Sequence, residues 1–435
     1  MMILEMGTKE DVWTDSQFAD SILQAINACP VDRKRILVII PDNTRTAPMK
    51  LLFSSFRKAL KGRVTRLDFM IALGTHHSMT PEQIQQEVGI TPEEALQDGN
   101  AIFNHSWDDP ATLRLVGVLS ASEMKTLSQG LLSQDVPVLL NKKIFEYDEL
   151  FLLGPVFPHE VVGFSGGFKY LFPGVSGPEI IHAFHWLSAL ITNPKIIGHK
   201  NTPVREVLNH AAHFVPLPIT AFCFVMKGEK PCGLFVGDPQ EAWSKAADLS
   251  ARVNIIYREK PAHTVLSIAP SMYTELWVGG KCMYKLEPVV EDGGKLIIYA
   301  PHLHDISITH GRYLMKIGYH TRDFLLTHWD QYKQYPSGVL AHSTQVKGIG
   351  LYREGKEVPR IEVVLATGIP EDICRKINLG YLDYRTLDPR SYMGRENEGI
   401  LVVPRAGEML YRLSNGKVPD VDRLNAGESS SFGIV

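Results

Sequence analysis

Residues 36–60 read ILVIIPDNTRTAPMKLLFSSFRKAL: five apolar residues, a polar loop, then apolar positions at helical spacing. The run 36–40 has the length and β-branching of a strand buried on both faces. Pro41-Asp42-Asn43 ends it, and a helix is expected over 49–60. The pattern recurs along the chain. A strand over 67–73 leads into GTHHSMT (74–80), where Thr80-Pro81-Glu82-Gln83 forms a capping box with proline in the first helical position. Thr91-Pro92-Glu93-Glu94 repeats that device. A strand over 149–153 enters a glycine-rich loop, and Ser176-Gly177-Pro178-Glu179 opens the helix carrying His182 and His185.

A second series of strand-then-loop units covers 265–269, 296–300, 361–366 and 400–403. Alternation of this kind argues for α/β architecture with mainly parallel sheets. At 435 residues two domains are expected. Their boundary is placed in REKPA, 258–262, giving an N-terminal domain 1–260 and a C-terminal domain 261–405. The Gly- and Ser-rich tail, 425–435, reads as a frayed end unless it docks.

A hydrophobic content of 44%, a charged content of 21% and a net charge of −3 describe a globular chain with no electrostatic call for nucleic acid or an anionic membrane. Cys29, Cys223, Cys232, Cys282 and Cys374 are scattered and odd in number, which fits a reduced cytoplasmic setting rather than a disulfide framework or structural zinc. The start, MMILEMGTKEDVW, meets acidic residues too early for a signal peptide. No apolar run reaches the roughly 18 residues of a membrane span.

Three strand ends in the N-terminal half carry the chemistry: PDNTRTAP (41–48), GTHHSMT (74–80) and FPHEVVGFSGGFK (157–169). In open parallel sheets ligands gather at such ends. Arg45 is suited to grip a carboxylate or phosphate, while Asp42 and Asn43 read equally well as a polar turn. His76 and His77 taken alone read as structural or exposed. His159 at another strand end raises the prospect of two imidazoles working as proton donor and acceptor. GFSGGFK lacks the P-loop spacing, and no GxGxxG follows the first strand. Lys169, in a glycine-rich and otherwise apolar loop, is a surface charge, a phosphate contact or a covalent cofactor link. His182 and His185 share a helix face, either as a satisfied buried pair or with one of them on a metal.

The motif PHxxxGxSGGxKxxxPG at 158–174, with His185 downstream, DNTR at 42–45 and Gly-Thr-His at 74–76, resembles the nickel-dependent lactate racemases and related 2-hydroxyacid racemases and epimerases. The resemblance implies a two-domain α/β fold, each domain with a mainly parallel sheet flanked by helices and the active site in the interdomain cleft. It implies a nickel-pincer nucleotide, a pyridinium-3,5-bisthiocarboxylic acid mononucleotide carrying nickel, attached to Lys169. His185 would ligate the metal, with Asp42, Thr44, Gly166 and Gly167 around the cofactor. His76 and His159 would be the catalytic acid and base for inversion at C2 of a 2-hydroxy acid. Residues 1–260 would be the cofactor-binding and catalytic domain, 261–405 the substrate-pocket domain, and 406–435 would return to pack on the first. Maturation would need cofactor-building enzymes as partners, with no nucleic acid or membrane involved.

The departures bear on the substrate. Family members that act on lactate carry Tyr-Gln and, three residues on, a lysine. Here the stretch reads Tyr273-Thr274-Glu275-Leu276-Trp277, and His77 stands where an arginine is common. With Arg45, the residues Tyr273, Thr274 and Trp277 are assigned to the substrate. They suit a larger or sugar-type hydroxy acid better than lactate, with Glu275 nearby. The alternatives are a catalytically inactive nucleotide-binding homologue and a zinc hydrolase; for the latter the chain lacks HExxH.

Overall fold

The computed structural model describes residues 1–424, so the tail expectation for 425–435 lies outside the described residues. The chain divides into two compact units, 1–157 with 164–181 and 200–254, and 158–163 with 182–199 and 255–435. Each is a sheet flanked by helices, as the alternation of strand and helix patterns implies.

The first unit is built on seven strands: β1 (Met2–Gly7), β2 (Arg35–Ile40), β3 (Arg66–Ile71), β4 (Ile102–Asn104), β5 (Glu149–Pro155), β6 (Ile219–Lys227) and β7 (Lys230–Gly237). Their order across the sheet is β1-β7-β6-β5-β2-β3-β4. From β4 to β6 all neighbours are parallel, whereas β7 runs antiparallel to both β6 and β1. Residues 36–40 of β2 are buried along both faces, which is why they read as an unbroken apolar run. The chain steps from β2 to β3 and β4 on one side, then returns to β5 on the other. The order therefore reverses between β2 and β5.

Local signals set the flanking helices. Met49–Leu60 buries Leu52, Phe53, Phe56 and Leu60, one stripe at helical spacing. Thr80 caps Pro81–Val88 by accepting the Gln83 amide while the Gln83 side chain returns to the Thr80 amide, and Gly89, at φ +94°, ends the helix. Thr91 and Glu94 do the same for Pro92–Gln97. Ahead of the next helix, Pro178–Ile191, the Ser176 hydroxyl donates to the Pro173 carbonyl at 3.4 Å.

The second unit holds five parallel strands: β8 (Ala262–Ile268), β9 (Val290–Ala300), β10 (Glu362–Thr367), β11 (Gly380–Tyr381) and β12 (Ile400–Val403), in the order β11-β10-β9-β8-β12. Leu266, Ile297, Val364 and Ala366 supply its apolar centre. Leu410–Leu413 pairs in parallel with Ile255–Arg258, so this part of the C-terminal segment is built into the second unit. No helix among the described residues is long and apolar enough to cross a membrane.

The core of the first unit turns on Phe56, fully buried, with its ring 5.0 Å from Phe222 edge-on and 6.2 Å from Phe151. Phe56→Ala should cost about 3–5 kcal/mol, as aromatic truncation in a tight core does. Urea unfolding should show a lower midpoint at unchanged slope; a midpoint within error of the parent's would rule out this packing.

Candidate active site

Because β5, β2 and β3 are parallel neighbours, their C-terminal loops leave the sheet on one edge, at the point where strand order reverses. The loop after β2 supplies Asp42, Thr44 and Arg45. Asp42 is buried, and its Oδ2 lies 2.5 Å from His76 Nδ1, on the loop after β3. Its Oδ1 accepts the Thr44 hydroxyl at 2.8 Å and the Thr44 amide at 3.2 Å. The carboxylate thus assigns the proton of neutral His76 to Nδ1 and leaves Nε2 as the basic nitrogen. Asp42, assigned to the cofactor by resemblance, thus bonds to both His76 and Thr44.

The loop after β5 carries Gly166, Gly167 and Lys169. Both glycines are buried and hold φ at +84° and +57°, conformations that side chains rarely adopt. Lys169 stands half-buried on the short 3₁₀ turn Gly167–Tyr170. This loop is tied to the β3 loop, because Gly74, at φ +56°, donates its amide to the Gly174 carbonyl at 3.1 Å. Arg45 and His77 are half-buried.

In the second unit His159 is buried, and its Nδ1 accepts the Val161 amide at 3.2 Å. That assigns the proton of its neutral ring to Nε2, the reverse of His76. Glu160 Oε2 lies 3.5 Å from the same Nδ1. His182 Nδ1 accepts the Gly338 amide at 3.3 Å, and burial holds its pKa down. His185 is half-buried, stacked 4.6 Å from Phe184. Burial first, then His310 and His185, hold the pKa of His342 well below the ordinary histidine value. Trp277 lies against His342 and His310, with ring centroids at 3.9 and 4.3 Å.

Tyr273 is fully buried, its ring under the Lys281 ammonium at 4.9 Å and its hydroxyl against Gly407. Thr274 is exposed. Glu275, expected beside the substrate, is buried and accepts the Ile308 amide at 2.5 Å, so it braces a loop.

Sequence reasoning passed over several groups. Tyr170 is buried with its hydroxyl against Gly154 of β5, within the electrostatic reach of Arg45, Cys223 and Asp42. Its place beside Lys169 was the available signal. His310 and His342 reach Trp277 only through the fold. Glu87, on the capped helix, lies near Asp42; burial first, then the Asp42 charge, pushes its carboxyl up to about 7 against the pull of Lys50.

Fold and loop set together define a parallel-sheet α/β protein with acid–base, cationic and glycine-rich loops gathered at the strand-order switch. Residues 21–196 match the lactate racemase N-terminal domain. The chain is 26% identical over 276 residues to lactate racemase of Thermoanaerobacterium thermosaccharolyticum, covering 62% of this chain and 60% of that one. It is 24% identical over 220 residues to lactate racemase of Lactiplantibacillus plantarum, covering 50% and 48%. The matches thus span from about half to three-fifths of these relatives' length. A solved structure from Thermotoga maritima superposes with a TM-score of 0.85 at 29% identity, over 94% of this chain and 100% of that one. The lactate racemase apoprotein of T. thermosaccharolyticum superposes at 0.68 and 19% identity, over 94% of each chain. Over residues 21–196 the chain thus resembles the lactate racemases.

Glu87 makes stability depend on pH. Its folded pKa is raised, so the folded state holds this proton while the unfolded state has released it. The penalty is absent below the unfolded value near 4.5, grows as pH rises, and is complete above about 7. Glu87→Gln should therefore gain about 1–3 kcal/mol over the parent at pH 8 and nothing at pH 4.5. Chemical denaturation at both pH values measures this; an equal gain at both would show that the carboxyl does not titrate as described.

Proposed function

We propose that this protein is a racemase or epimerase that inverts C2 of a 2-hydroxy acid. The observation that carries the reading is the Asp42–His76 pair, held on one sheet edge with the glycine loop of Lys169. An orienting carboxylate on Nδ1 leaves His76 Nε2 to take the hydroxyl proton of a substrate. His159 holds its proton on Nε2 and acts as the matching donor. A reaction that runs in both directions needs such a pair, each able to take the other's role after one turnover. Arg45 holds the substrate carboxylate, for which a guanidinium fork is suited.

Among the described residues no three His, Cys, Asp or Glu side chains converge as a metal ligand set. A metal held through one protein histidine must therefore bring its other donors with it. That fits a nickel-pincer nucleotide, which His185 would ligate and Lys169 would attach, and which would supply hydride-transfer chemistry at C2. Gly166 and Gly167 keep the backbone of the loop close, and Thr44 lies beside it. The chain's own part is to orient, to hold the carboxylate and to move the hydroxyl proton. Cofactor-building enzymes are the maturation partners.

The substrate is larger than lactate and hydroxylated. Position 277 carries an indole backed by two imidazoles rather than a cation, and such a face packs against a sugar-like chain. Thr274 adds an exposed hydroxyl.

Intact mass and nickel content of protein made with cofactor-building enzymes test the class. A mass increase on Lys169 with bound nickel is expected, and Lys169→Ala should lose both along with C2 inversion. Nickel retained by Lys169→Ala would sink the tether. Asp42→Asn should keep the adduct and lower kcat by about 10²–10⁴, the range for a misassigned histidine proton. In a substrate panel, sugar acids should exceed lactate in kcat/KM by about tenfold or more; faster turnover of lactate would overturn the substrate assignment.

A further inference from the structure

We propose that Arg205 and Trp243 are positioning residues, a stacked brace that fixes the Gly163–Tyr170 loop so that the Lys169 amine is presented for modification. The part concerning modification rests on the reading above; the brace itself does not.

Arg205, on the helix Pro203–Ala212, is 1% exposed. Its guanidinium donates to the Phe164 carbonyl and lies 3.9 Å from the centroid of the Trp243 ring. Trp243, on the helix Pro239–Asn254, is 4% exposed and donates its indole N–H to the Ser165 carbonyl at 2.9 Å. Two successive loop carbonyls are thus held by two side chains that are themselves stacked. The next two residues are the positive-φ glycines, and a Cβ on Gly167 would come within 2.9 Å of Trp243 Cβ, so the backbone lies directly on that side chain. The Gly167 amide bonds to Cys223 on β6. The Ser165 hydroxyl donates to the Pro155 carbonyl at 3.0 Å and accepts the Phe157 amide at 2.9 Å.

Burying a guanidinium is expensive, and an apolar side chain would fill the same space at lower cost. What an apolar residue cannot do is donate to a carbonyl while stacking flat on an indole. Paired glycines impose the opposite demand, since they have the widest backbone freedom of any residue and hold one shape only when clamped from outside. The clamp ends where the lysine begins, at the 3₁₀ turn Gly167–Tyr170.

Hydrogen–deuterium exchange on the full chain reads the brace without cofactor. In Trp243→Phe and Arg205→Lys, amides of residues 165–170 should exchange about tenfold faster than in the parent, with β5 and β6 unchanged. Trp243→Phe keeps an aromatic ring under Arg205 and removes only the N–H, so it serves even where Arg205→Lys folds poorly. With cofactor-building enzymes present, and well below the melting temperature, the rate of adduct gain on Lys169 should fall in both variants by a similar factor. Loop exchange at the parental rate in folded variants overturns the brace. A looser loop with adduct gained at the parental rate overturns its link to Lys169. If the parent gains no adduct, the cofactor reading fails, and the exchange result alone decides whether the brace exists.

Discussion

The interior position of β2 is the constraint on which the first unit depends. Residues 36–40 are buried on both faces, with β3 and β5 hydrogen-bonded on either side. A strand in that place has no room for a polar side chain along its length, so its chemistry is pushed to the loop where it ends. Because its neighbours run the same way, their loops arrive at the same edge. Reversal of strand order beside β2 keeps the connecting helices from crowding that edge. The pairing of Asp42 with His76 follows from this registry. Two residues 34 positions apart in sequence meet at 2.5 Å because adjacent parallel strands stop at matching heights.

Much of this was legible because it is local. Ile36–Ile40, the Thr80 and Thr91 capping boxes and the strand at 400–403 each announce themselves through a few neighbouring residues. Some strands were not read: β1 is a partly exposed edge strand, and β6 and β7 form an antiparallel hairpin inside the sheet whose turn at Lys227-Gly228-Glu229 lay in plain view. The order of β6 and β7 in the sheet depends on pairing, which no window of sequence contains. At the candidate site the loops were legible and the partners were not. Glu87, Arg205, Trp243, His310 and His342 lie far in sequence from the groups they meet, and nothing in their own neighbourhoods marks them. Glu275, a polar residue beside a pocket motif, accepts a backbone amide 33 positions away, a partner its neighbourhood does not announce.

The histidines show why residue type underdetermines role. His76, His159 and His182 are each hydrogen-bonded through Nδ1, yet the partners differ in kind. A carboxylate on Nδ1 makes Nε2 basic, whereas a backbone amide on Nδ1 puts the proton on Nε2. In their neutral forms His76 and His159 thus carry the proton on opposite ring nitrogens. On the proposed reading this matters energetically, because neither ring must first change tautomer to begin a turnover.

A loop built from glycine poses the harder problem. Fixing the backbone of one residue costs about 1–2 kcal/mol, and glycine lies at the upper end of that range. From Gly163 to Gly174 the chain places four glycines, so local preference cannot hold its shape. The restraint comes from distant elements: the Gly174 carbonyl receives Gly74, Cys223 receives Gly167, and the two carbonyls ahead of the paired glycines receive Arg205 and Trp243. Each of these contacts meets the backbone and none depends on a loop side chain. That division fixes the loop backbone from outside, and it explains why a motif rich in glycine is set against some of the most deeply buried side chains of the unit.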